Sequence, residues 1–137
     1  MKSLPIDALA YWTPICDLVC SRRCWVRLAA TPEHGGLSEW GHGLGLPTPT
    51  YLEGPGGPVP LTQVEWLEIA TERVRGGLAG RPIEIIDVTQ QVVAALSEAS
   101  AQWHFREATW APIALIELRP LRVICVTNPF FTPDAAQ

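Results

Sequence analysis

Between Thr31 and Pro60 the chain places Pro32, Pro47, Pro49, Pro55, Pro58 and Pro60 among Gly35, Gly36, Gly41, Gly43, Gly45, Gly54, Gly56 and Gly57. Proline locks its own backbone and donates no hydrogen bond, while glycine loses the most conformational entropy on ordering. That punctuation excludes a helix over 31–60 and predicts that no regular element of any length survives there. A structureless run of this length in a compact domain is either functional or disordered. Trp40, Leu44, Leu46, Tyr51 and Leu52 supply apolar anchors along it, which favours an ordered loop. The regular elements must lie on either side.

Upstream, Pro14 divides a helical pattern, with Thr13 as N-cap and Pro14 as first residue of the second piece. At 100° per residue, Ile6, Leu9, Trp12, Cys16, Val19 and Cys20 share one face. Cys24 opens Trp25-Val-Arg-Leu-Ala-Ala, whose aromatic and β-branched start predicts a strand. Downstream, residues 62–75 support two readings. As a helix they offer a capping box of Thr62 with Glu65 and an apolar face of Val64, Trp66, Leu67, Ala70, Val74 and Leu78. As strands they are rich in Val, Trp, Ile and Thr, followed by a Gly-rich turn into Pro82-Ile-Glu-Ile-Ile-Asp. Periodicity leaves both open.

Asp87, with Gln90 three residues on, predicts a helix start, and Val88, Val92, Ala95, Leu96, Ala99 and Trp103 fall on one side of the helix that follows. Ile113–Leu118 and Leu121–Val126 read as two central strands joined across Arg119-Pro120, because both faces of each are largely apolar. Breakers fill the tail, 128–137. The sum is α+β: a single domain over 1–137, with an antiparallel sheet, an N-terminal helix and a second helix packed on one face.

With 137 residues, 47% of them apolar and 18% charged, the chain can bury a core without disulfide or metal staples. Its net charge of −4 argues against nucleic-acid binding, which needs a basic stripe to displace counterions. No apolar run reaches membrane-spanning length. Pro5 and Asp7 interrupt the place where a secretory signal would be apolar, so a cytoplasmic protein with reduced thiols is expected.

Cys16, Cys20 and Cys24 crowd one short stretch, yet the second ligand pair of a structural zinc site is missing. No metal is expected, and the cysteines are read as core. A nucleophile would need a lowered pKa and a base; Cys24, beside Arg22 and Arg23 and within possible reach of His34 or His42, is the candidate. Gly41-His-Gly-Leu-Gly lacks the lysine and following helix of a phosphate loop. Glu65, Glu68 and Glu72 read as a solvated acidic edge. No catalytic residue and no cofactor are expected.

Trp25-Val-Arg-Leu, Glu65-Trp-Leu-Glu-Ile, Ile86-Asp-Val-Thr and Ile113-Ala-Leu-Ile-Glu-Leu follow one another along the chain, with the Pro/Gly-rich loop between the first two. This order resembles a family of small bacterial proteins suspected to be immunity proteins for secreted toxins. The resemblance covers residues 11–118 and departs after Arg119, where no Gly-Tyr terminator follows. It tips residues 63–70 toward strand and implies a non-catalytic binding protein that occludes a toxin. Aromatic anchors and complementary charge would suffice for that task. The expected partner-binding residues are Glu39, Trp40, His42, Tyr51, Glu53, Glu65 and Glu68, facing a basic toxin domain, with at least one of Trp40 and Tyr51 at the surface. The alternatives are a cysteine-dependent enzyme using Cys24 with a loop histidine, and an adaptor with another protein partner.

Overall fold

Asp7 begins the first helix by accepting the Leu9 backbone N–H at 3.0 Å, which satisfies one of the donors a helix start leaves open. The computed structural model describes residues 7–76, 79–82, 84–110 and 119–132. Helix α1 (Ala8–Arg22) runs through Pro14 without interruption, so the expected division into two pieces with Thr13 as N-cap does not occur. Pro14 sacrifices one backbone bond, but Tyr11, Trp12, Ile15, Cys16 and Val19 on either side of it are all buried. Burying that stripe outweighs the lost bond. The expected apolar face is also rotated: Leu9 and Cys20 are exposed.

Strand β1 (Trp25–Ala30) follows directly. The Pro/Gly segment after it is not structureless. A short 3₁₀ turn spans Pro32–His34, β2 (Gly41–His42) pairs with the start of β1, and β3 (Tyr51–Gly54) with β4 (Gly57–Pro60) makes a hairpin. Leu52 faces Val59 across the hairpin, and both are buried. Pro58 and Pro60 take the alternate positions, opposite Glu53 and Tyr51, where an absent N–H leaves the ladder intact. Gly54 is required because a Cβ there would sit 2.9 Å from the Leu28 side chain on β1.

Residues 62–75 are strands apart from one 3₁₀ turn, Leu61–Gln63, and a bend at Thr71. Strand β5 (Val64–Ala70) lies between β1 and the C-terminal strand, and β6 (Glu72–Arg75) pairs with β7 (Glu84–Asp87) in a separate hairpin. Helix α2 (Thr89–Glu98) follows one residue later than its sequence implies: Val88 is the cap residue and Asp87 ends β7, though its carboxylate still accepts the Thr89 N–H at 2.8 Å. Trp103 does not continue that helix. It opens β8 (Trp103–Trp110), which pairs antiparallel with β9 (Arg119–Thr127). Arg119 and Pro120 are therefore strand residues opposite Trp110 and Thr109, not a turn. The strand expected at Ile113–Leu118 lies outside the described residues.

The main sheet has the order β2-β1-β5-β9-β8 and is antiparallel throughout. Because strand side chains alternate, the register sorts them cleanly onto two faces. Val26, Ile69 and Ile124 align on one face, as do Leu28, Leu67 and Val126. These join Trp12, Ile15, Val19, Val92 and Leu96 from the two helices in one core. The Tyr11 hydroxyl donates to the Thr127 carbonyl and ties α1 to β9. Buried Asn128 donates to the carbonyls of Leu61 (2.8 Å) and Val64 (2.7 Å), which pins the start of the tail. Both helices thus cover the same face. Among the described residues, no helix residue joins the apolar cluster on the other.

Candidate functional site

The helix-free face takes its side chains from the odd positions of β1 and β9 and the even positions of β5 and β8. Its central row is Arg27, Glu68, Cys125 and His104, one residue per strand. Glu68 is only 2% exposed despite its charge. Its Oε1 accepts Arg27 Nε at 3.1 Å and Nη2 at 2.7 Å, and its Oε2 accepts the Trp66 indole N–H at 2.8 Å. Arg106 Nη1 stands 3.6 Å from the same Oε2. A carboxylate can be buried only with such compensation, since desolvation otherwise outweighs any single attraction.

Each guanidinium is in turn capped by an indole. Arg27 lies 4.7 Å from the Trp40 ring centroid and Arg106 5.3 Å from that of Trp66. Trp40 and Trp25 also pack against buried Ala70 and Val123. The result is a layered patch: carboxylate at the base, two cations beside it, tryptophan rings above. Arg106 also approaches the Cys125 thiol at 4.0 Å, and burial still pushes that thiol above its ordinary pKa.

The sequence-derived candidates divide around this patch. Trp40 belongs to it, half-buried, and Glu39 beside it is exposed. Both line a cleft of ≈ 370 Å³ that reaches the hairpin turn at Pro55 and Gly56. Tyr51 is 40% exposed, at the open end of the β3–β4 hairpin and so away from Trp40, which borders the turn. Glu53 instead lines a neighbouring hollow with Cys20, Arg23 and His42. His42 is exposed and its ring meets Trp25 edge-on at 3.9 Å. Burial, then the charges of Arg23 and Arg73, hold its pKa below the ordinary value.

The acidic edge expected from Glu65, Glu68 and Glu72 does not form. Glu65 sits half-buried at an irregularity in the β1–β5 register, Glu68 is buried in the central strand, and Glu72 belongs to the β6–β7 hairpin. Strand alternation, rather than helical spacing, separates them. Arg27, Trp66 and Arg106 are not among the expected partner-binding residues, although the alternations Trp25-x-Arg27, Trp66-x-Glu68 and His104-x-Arg106 each place an aromatic ring and a charge on one strand face.

The cysteine chemistry fares differently from residue to residue. Cys24 is fully buried in the core, and burial raises its thiol to about 11 against the partial opposition of Arg73 and Arg22. That is the reverse of an activated nucleophile. His34 lies beyond the far end of β1 and contacts Thr31, roughly 20 Å along the strand from Cys24. Cys16 and Cys125 are buried too, but Cys20 departs from the expected core role: it is exposed, and its thiol donates to the Leu44 carbonyl at 3.1 Å. Among the described residues, no cluster of His, Cys, Asp and Glu has the makings of a metal site.

Comparisons with protein-family models, with curated proteins and with solved structures return no match. No described helix is long and apolar enough to cross a membrane.

Proposed function

We propose that this chain is a non-catalytic binding protein that neutralises a toxin by occluding it, with the helix-free sheet face and its Trp40 border as the contact surface. The observation that carries the reading is the Trp40–Arg27–Glu68–Trp66–Arg106 network. Tryptophan and arginine dominate the few residues that supply most binding energy at interfaces, and here they are held in place before any partner arrives. The resemblance of the short strand motifs to immunity proteins points the same way. Glu68 offers no charge to a partner, because two cations already engage it. The charge presented to a basic toxin domain comes from exposed Glu39 beside Trp40, within a chain of net charge −4.

The test is a pull-down from the native host, followed by expression of each captured protein alone and together with this chain. A captured protein that arrests growth alone, and is silenced by co-expression, supports the proposal. Trp40→Ala is expected to weaken that complex by about 2 kcal/mol or more. Tyr51→Ala, at an exposed ring, reports whether the interface extends along the hairpin while leaving the fold intact. Unchanged affinity in both variants with a large fall in the melting temperature of Trp40→Ala would retire the proposed surface.

A further inference from the structure

Three arginines line one cleft in a chain whose net charge is negative. A cleft of ≈ 360 Å³ lies between the end of α1, the β1–β2 pair and β6, and its walls include Arg23, Arg73, Arg75, His42 and Trp25. Arg75 is engaged by Glu84 at 3.0 Å. Among the described residues, the side chains of Arg23 and Arg73 make no ion pair or hydrogen bond. Arg23 also closes α1 in the left-handed conformation, φ 54°, its backbone N–H bonded into the last turn. Glycine would take that position without the Cβ penalty, so a guanidinium is kept there at a conformational cost.

We propose that this cleft binds a phosphomonoester. Arg23 from the helix end and Arg73 from β6 approach from different elements, and each can present a planar fork of donors to an oxyanion. A phosphomonoester, with two charges and three terminal oxygens, offers two forks more charge and more acceptor sites than a carboxylate, with one charge and two oxygens. Trp25 supplies an apolar wall for the organic group. His42 feels the same positive field, since Arg23 and Arg73 add to burial in holding it neutral. The C-terminal end of α1 opposes an anion, so the side chains must supply the attraction. The cleft shares Trp25 with the helix-free face but needs neither a toxin partner nor the Trp40–Arg27–Glu68–Trp66–Arg106 network.

Calorimetric titration of the whole chain with phenyl phosphate, inorganic phosphate and benzoate, at low ionic strength, tests it. One saturable site for phenyl phosphate is expected, with inorganic phosphate weaker and benzoate at least about tenfold weaker. Arg73→Ala should weaken phenyl phosphate at least about tenfold. Arg23→Gly should do the same while folding at least as well, because glycine suits the left-handed position. Arg122→Ala, in a different cleft beside Asp87 and Thr89, should leave affinity within about twofold of the parent. Absence of a saturable site at about 10 mM ligand, benzoate binding as tightly as phenyl phosphate, or equal losses in Arg122→Ala and Arg23→Gly would each overturn the proposal.

Discussion

Replacing Glu68 by glutamine isolates the charge at the base of the patch, because the side chain keeps its shape and one carbonyl oxygen. In the parent, Oε1 takes two donors from Arg27 and Oε2 takes Trp66 Nε1–H, with Arg106 at 3.6 Å. Glutamine must turn its amide NH₂ toward one of these donor sets, so a hydrogen bond is lost and replaced by a donor–donor clash. Removing one member of a buried ion pair costs about 3–5 kcal/mol, chiefly from the charge left behind. Arg27 and Arg106 are 20% and 45% exposed, so water recovers part of that, and a loss of about 2–3 kcal/mol is expected. For a chain of this size the melting temperature should fall on the order of 10 °C. Urea unfolding followed by circular dichroism and tryptophan fluorescence gives the free energy directly. The pair Arg27→Met with Glu68→Leu should recover more than half of the loss, since the Arg27 guanidinium is then no longer left without its carboxylate. A change within about 0.5 kcal/mol for Glu68→Gln, or strictly additive losses in the paired variant, would refute the account of this network.

Three further outcomes follow from other parts of the molecule. An uncharged thiol reagent should modify Cys20 rapidly in the native protein and Cys16 and Cys24 only on unfolding, because burial raises those two thiols to about 12 and about 11; rapid alkylation of Cys24 would contradict its placement. The His42 ring should titrate below 6.5 by NMR, and Arg73→Ala should move the midpoint upward. Since the folded state binds that proton less readily than the unfolded chain, stability from His42 is present above pH 6.5 and is lost as pH falls through the lowered value, with Arg23, Arg73, Arg75 and Glu53 lining the hollows beside it. Tyr11→Phe, which leaves the Thr127 carbonyl without its hydroxyl donor, should cost about 1–2 kcal/mol in the same urea assay, and a neutral result would remove this link between α1 and β9.

Features that depend on a few neighbouring residues were legible in the amino-acid order. Part of the apolar stripe of α1 (Trp12, Cys16 and Val19), a helix beginning just after Asp87, the strand character of Trp25–Ala30 and of Leu121–Val126, and the α+β class follow from local periodicity and side-chain alternation. Pro14 misled because the stripe it interrupts is stabilised by the sheet beneath it, not by the helix alone. The hairpin inside the Pro/Gly segment was hidden because its prolines fall only at positions where the ladder needs no N–H, a property visible once Leu52 is seen opposite Val59. Residues 62–75 fit helix and strand equally until β1 and β9 flank β5 and supply its hydrogen bonds. The patch belongs wholly to that long-range order. Arg27, Glu68 and Arg106 meet because β1 pairs with β5, β5 with β9 and β9 with β8, and a shift of one residue in any register would send a charge into the core. Local propensity carries no record of which strand lies beside which, and the burial of Glu68 is set by its neighbours across the sheet.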